Sequence, residues 1–174
     1  MGDNLFDIWA SRVPQYDERF RDTLFKSKAA KGSKDEESIE SLGKHFSRQY
    51  ELYIYAFFLG LYNNEFTEIP KDAKKANFSH HIQYWGSKNS VGRSSFTELQ
   101  EYMFVALVSK TDVDFISLEK GEIDVKKAVK QLIHTMESYT NGGLILLEEK
   151  GEENPNYHLT STAFLDLIVQ SKSK

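Results

Sequence analysis

Cysteine is absent from all 174 residues. There is therefore no disulfide framework, no thiolate zinc site and no cysteine nucleophile, and the composition suits a reducing, cytoplasmic setting. Long apolar runs are missing too. The most apolar stretch, LYIYAFFLGLY at 52–62, covers 11 residues against the roughly 20 that a bilayer crossing needs, so it reads as a buried core helix and no membrane partner is expected. The opening MGDNLFDIWASRVPQYDERF lacks a basic stretch followed by an apolar run and a small-residue cleavage site, so no signal peptide is expected. Phe6 stands where a myristoylation pattern wants Ser or Thr. Basic residues are not in excess: the formal net charge is -4 and the pI about 5.8, which argues against nonspecific coating of nucleic acid and leaves room only for a local basic patch. Internal repeats and low-complexity tracts are absent.

Catalytic signatures are equally scarce. None of the five histidines forms an i, i+4 pair with another, and HEXXH does not occur. His80 and His81 are the most site-like pair, yet neighbours on a helix point about 100° apart, so both cannot readily face one metal. GSKNSVGRSS at 86–95 has no Walker spacing and reads as a boundary loop, although Lys88 and Arg93 together with its amides would suit an anion. There is no nucleophile elbow. Asp112 and Asp114 precede an apolar stretch, where capping and solvation explain them more simply than acid–base chemistry. These absences predict a non-enzymatic protein with no metal and no cofactor; an enzyme with a tertiary site around His80 and His81 is the distant alternative.

Hydrophobic residues at 40% and aromatics at 13% suffice for one sizeable core. Their spacing predicts a mainly α fold, with a helical part at 1–94 and a second part at 95–174 sharing one compact unit. In the first part, Tyr16, Phe20, Leu24 and Phe25 mark a helix over 14–28 led by Pro14. A small, charged linker follows at 27–38. A long central helix over 36–63 comes next, apolar on nearly all sides and hence packed on several. Asn63 and Asn64 suit its end, and a shorter helix is predicted over 76–85.

In the second part, Thr97 with Gln100 has capping-box spacing at the start of a helix. A short helix at 112–119, a turn at Gly121 and a longer helix at 124–139 then make a helix-turn-helix pattern. Asn141 and Gly142 suit a helix end. After them 144–148 reads as a strand, KGEENPN as a turn and YHL as a return strand, making a two-stranded hairpin. Thr160 can cap a closing helix through 168.

This order of helix, helix, turn, helix, hairpin and closing helix resembles the winged-helix fold over about 96–168. In DNA-binding members the third helix enters the major groove, with basic side chains positioning it on phosphates. The resemblance therefore implies nucleic-acid contacts at Lys126, Lys127, Lys130, Gln131 and His134, with Lys88 and Arg93 as further basic positions. The would-be wing holds Glu148, Glu149, Glu152 and Glu153 against Lys150 alone, so phosphates would be repelled there. The expected function is that of a bacterial-style cytoplasmic binding protein: a winged-helix subunit or regulator in a nucleic-acid-processing, transcription or defence assembly. Protein subunits and double-stranded DNA are its expected partners, with a homo-oligomer open. The alternative is a protein–protein adaptor without nucleic-acid contact.

Overall fold

A computed structural model describes residues 4–29, 44–78, 80–87, 95–160 and 162–170. The chain is mainly α. In chain order the elements are α1 (Leu5–Ala10), β1 (Gln15–Asp17), a π-helical turn Arg21–Phe25 running into Lys26–Lys28 (together α2), and α3 (Gln49–Asn63). Then come β2 (Lys75–Asn77), α4 (Glu98–Lys110), α5 (Phe115–Glu119), α6 (Val125–Glu153) and α7 (Ala163–Gln170). Single 3-10 turns lie at Ile82–Tyr84 and Tyr157–Leu159.

Local chemistry accounts for most helix ends. The Glu51 carboxylate reaches back to accept the Ser47 and Arg48 N–H groups just ahead of α3 and so fixes where the helix begins. At the far end Asn64 takes the left-handed conformation, φ 57°, as expected of a residue whose short amide tolerates it. Asp114 accepts from Ile116 and Ser117 to open α5. Gly121, at φ 74°, turns the chain toward α6, where Asp124 accepts from Lys126. The expected capping box at Thr97 does not form. The Gln100 amide donates instead to the carbonyls of Gln83 and Trp85, and the Thr97 side chain makes no capping bond.

The strands are not where the C-terminal sequence suggested. Residues 144–148 continue α6, which runs through Asn141, Gly142 and Gly143 without interruption, and Tyr157–Leu159 is a 3-10 turn. The expected wing is therefore helix and turn. The two-stranded pairing joins β1 to β2 instead, antiparallel, with Phe78 N–H donating to the Pro14 carbonyl and Glu18 N–H to that of Lys74. It takes residues that helical spacing had assigned to helices at 14–28 and 76–85. Of the predicted helix over 36–63, residues 49–63 are helical and 44–48 are not; 36–43 and most of the predicted linker lie outside the described residues.

The chain divides into two compact units, each assembled from two segments. The first comprises Met1–Gln15 and Asn77–Glu137. Its core holds Trp9, Ile82, Trp85, Met103 and Leu107 with Ala128, Leu132 and Met136 of α6, all fully or nearly fully buried. Phe6, Trp9 and Phe104 form an aromatic triangle with centroids 5.3–5.8 Å apart.

The second unit comprises Tyr16–Ala76 and Ser138–Lys174. Leu52, Tyr53, Ala56, Phe57 and Leu59 of α3 are buried together with Phe20, Phe25, Leu144 and Leu147. The aromatic stripe of α3 is thus core rather than an open stacking surface. The glycines at its crossing with α6 explain how the backbones approach so closely. A Cβ on Gly60 would overlap the Tyr139 carbonyl, one on Gly143 the Ala56 carbonyl, and one on Gly142 the Glu65 carbonyl.

The same unit contains a buried histidine. His158 donates from Nε2 to the Leu147 carbonyl at 3.0 Å, and its ring stacks on Phe164 with centroids 5.4 Å apart. Nδ1 has no partner. Burial, and then the charges of Lys28 and His45, push its pKa below the ordinary 6.5, so the folded protein holds the ring neutral while the unfolded chain protonates it first. The stability this gives is present above about pH 6.5 and is lost as pH falls through the lowered folded value. We predict a denaturant midpoint that declines over that acid window and declines less steeply in His158→Phe. Parallel pH profiles for the two proteins would show that other groups set the slope.

Candidate functional site

Steps of about 100° per residue sort the first turns of α6 into two arcs. Ala128, Val129, Leu132 and Met136 fall on one and are buried. Lys126, Lys127, Lys130, Gln131 and His134 fall within about 140° on the other, and all five are exposed. The structure thus brings together the five α6 residues that the sequence singled out. The arrangement follows from the sequence period: apolar residues at three- and four-residue intervals bind one side of the helix to the core, which forces the intervening polar residues outward.

The setting of these residues is electrostatically mixed. Three lysines lie within the first two turns of α6, near the positive end of the helix dipole. Asp124 offsets part of that positive charge, since its Oδ1 accepts the Lys126 N–H at 2.9 Å. The neighbouring α5 carries Asp114, held below the usual carboxylate range by the backbone N–H and hydroxyl of Ser117. It is a capping group, as its position before an apolar stretch suggested. α5 is joined to α6 through the turn at Gly121.

Other expected positions distribute differently. Lys88 and Arg93 lie outside the described residues. His80 and His81 are exposed and precede the 3-10 turn. His81 donates from Nδ1 to the Ser11 carbonyl, and the His80 carbonyl accepts from the Trp85 indole at 3.3 Å; both interactions brace the chain. No group of three His, Cys, Asp or Glu side chains suited to a metal occurs among the described residues. The glutamates once assigned to a wing lie on the last turns of α6. Glu148 pairs with Arg19 at 3.1 Å and Glu153 with Lys150 at 2.6 Å.

Sequence reasoning missed four exposed apolar side chains of the first unit. Ile116 and Phe115 of α5 are 66% and 38% exposed, and Tyr102 and Val105 of α4 are 60% and 65% exposed. Their apolar character reads as core in the sequence, and only the fold shows them facing water. No helix among the described residues is long and apolar enough to cross a membrane. The chain matches no protein-family model, no curated protein and no solved structure.

Proposed function

We propose that this chain is a non-enzymatic binding protein that contacts nucleic acid through the exposed arc of α6, as a subunit or regulator of a larger protein assembly. The observation that carries the reading is the segregation of Lys126, Lys127, Lys130, Gln131 and His134 onto one exposed arc of the helix that follows the Gly121 turn. Lysines so placed would neutralise phosphates, while Gln131 and His134 would reach toward base edges. With no hairpin at 144–159, recognition would rest on the helix alone. A cytoplasmic setting belongs to the same proposal.

A second reading has its own support. Ile116 and Val105, each about two-thirds exposed, with the net charge of -4, would equally suit a docking face for another protein and no nucleic-acid contact at all.

Salt dependence separates the two. Each lysine on a phosphate releases condensed counterions, so the logarithm of duplex affinity should fall with the logarithm of salt at a slope near -0.9 per contact. Changing Lys126, Lys127 and Lys130 together to Gln is expected to reduce that slope by roughly 2–3 units and to weaken all sequences alike. Absence of duplex affinity at moderate salt, with partner capture unchanged in the triple variant, would transfer the function to the adaptor reading.

A further inference from the structure

The segment 157–170 is tied to the rest of the second unit around His158. The His158 Nε2 donates to the Leu147 carbonyl of α6, His45 donates from Nε2 to the His158 carbonyl, and the Tyr55 hydroxyl of α3 donates to the Phe164 carbonyl of α7. The Phe164 ring closes the cluster, meeting the rings of His45, Phe46, Tyr55 and His158 with centroids 4.8–5.4 Å apart.

His158 is the titratable member shut inside. It is 4% exposed, and its ring lies against Gly151, 3.3 Å from where a Cβ would stand. Because Nε2 is engaged as a donor, Nδ1 carries the lone pair of the neutral ring and has no partner. A second proton would make Nδ1 a buried donor with no acceptor, which is costly.

The surrounding groups do not relieve that cost. Lys28 and His45 oppose a proton on the ring. Tyr55 and Tyr157 are held neutral, their pKa values raised by burial. On α6, Glu148 faces Arg19 and Lys150 faces Glu153, while Asp166 of α7 accepts the Thr162 hydroxyl. The segment is also lightly held. In α7, Ala163, Phe164 and Leu167 are buried but Leu165 and Val169 are 61% and 55% exposed, whereas α3 buries Leu52, Tyr53, Ala56, Phe57 and Leu59. Opening the segment therefore costs less than unfolding the unit.

We propose that His158 is the trigger of an acid-released latch: a proton on Nδ1 frees the segment 157–170 from α3 and α6 while the core of the unit stays folded. Release uncovers Phe164 and Leu167. The device is independent of the α6 lysines and of the nucleic-acid reading. The latched state favours the neutral ring, so release is suppressed above about pH 6.5 and grows as pH falls toward the lowered folded value.

The test is hydrogen–deuterium exchange of the full chain from about pH 8 to about pH 5, corrected for intrinsic exchange. Protection of the α7 amides should fall up to about tenfold per pH unit below about pH 6.5, one proton being taken up on release. Residues 52–59 of α3 should keep theirs. His158→Phe keeps a ring on Phe164 and cannot titrate, so its α7 profile should be flat. His45→Gln keeps a donor for the His158 carbonyl and should retain the pH dependence. Lys28→Met removes an opposing charge, raises the folded pKa and should diminish the total fall. If His158→Phe does not fold, the wild type carries the test: its loss of protection should level off where the His158 Cε1–H NMR shift shows the latched ring titrating. The proposal is overturned by a flat wild-type profile, a pH dependence that survives in His158→Phe or vanishes in His45→Gln, an undiminished fall in Lys28→Met, or α3 protection falling in step with α7.

Discussion

Phe57→Ala is expected to lower the unfolding free energy by about 3–5 kcal/mol, the usual cost of deleting a large aromatic side chain from a site that cannot collapse. Phe57 is fully buried in the middle of α3 and packs edge-on against Phe58, with centroids 5.1 Å apart. Collapse is resisted because α3 cannot move nearer to α6. Gly60 and Gly143 already bring the two backbones to contact distance, with the Ala56 carbonyl, next to Phe57, against Gly143. The void therefore stays open and its lining loses dispersion contacts outright. Denaturant melts should show a lowered midpoint with an unchanged slope, meaning that stability fell without a change in the surface exposed on unfolding. A loss under about 1 kcal/mol would indicate a surface position for Phe57.

Features governed by neighbouring residues were legible in the sequence. The helix end at Asn64, the Asp114 cap, the Gly121 turn, the helical segments at 98–110 and 115–119, and the closing helix at 163–170 all depend on chemistry within a few positions. The polar arc of α6 was legible for the same reason, since helical period alone decides which side chains share a side. Features that depend on distant partners were not. The β1–β2 pair joins residues 15–17 to 75–77, and nothing near either segment announces the other. The His158 cluster gathers His45, Leu147 and Phe164 from three separate stretches. Asn141-Gly142-Gly143 misled most, because local rules assign such a sequence to a helix end, whereas the glycines make room for the Glu65 and Ala56 backbone. Tertiary contact overrode local propensity there.

Gly143→Ala tests that account, because the two explanations of the glycine give opposite signs. In a helix interior free of neighbours, alanine is favoured over glycine by about 1 kcal/mol, and a mere helical glycine should gain roughly that on replacement. At the crossing the new methyl would overlap the Ala56 carbonyl oxygen and press on the Gly60 backbone nitrogen. Both are main-chain atoms inside a helix, so no rotamer change relieves them and the helices must separate. Overpacking of this kind costs typically about 1–3 kcal/mol, sometimes more, and backbone obstruction puts Gly143 at or above the upper end. Net of the propensity gain, Gly143→Ala should destabilise the protein by about 2–3 kcal/mol. Gly121→Ala supplies the comparison: its Cβ would meet nothing within 4 Å, and only its φ of 74° opposes the change, a cost of about 1–2 kcal/mol. Pairing Gly143→Ala with Phe57→Ala adds a stricter check. The sites share the Ala56 neighbourhood, so their effects should fail to add, with a coupling of at least about 0.5 kcal/mol in a double-mutant cycle. A stabilised Gly143→Ala protein, or strictly additive losses, would mean that α3 and α6 do not meet backbone to backbone at this glycine.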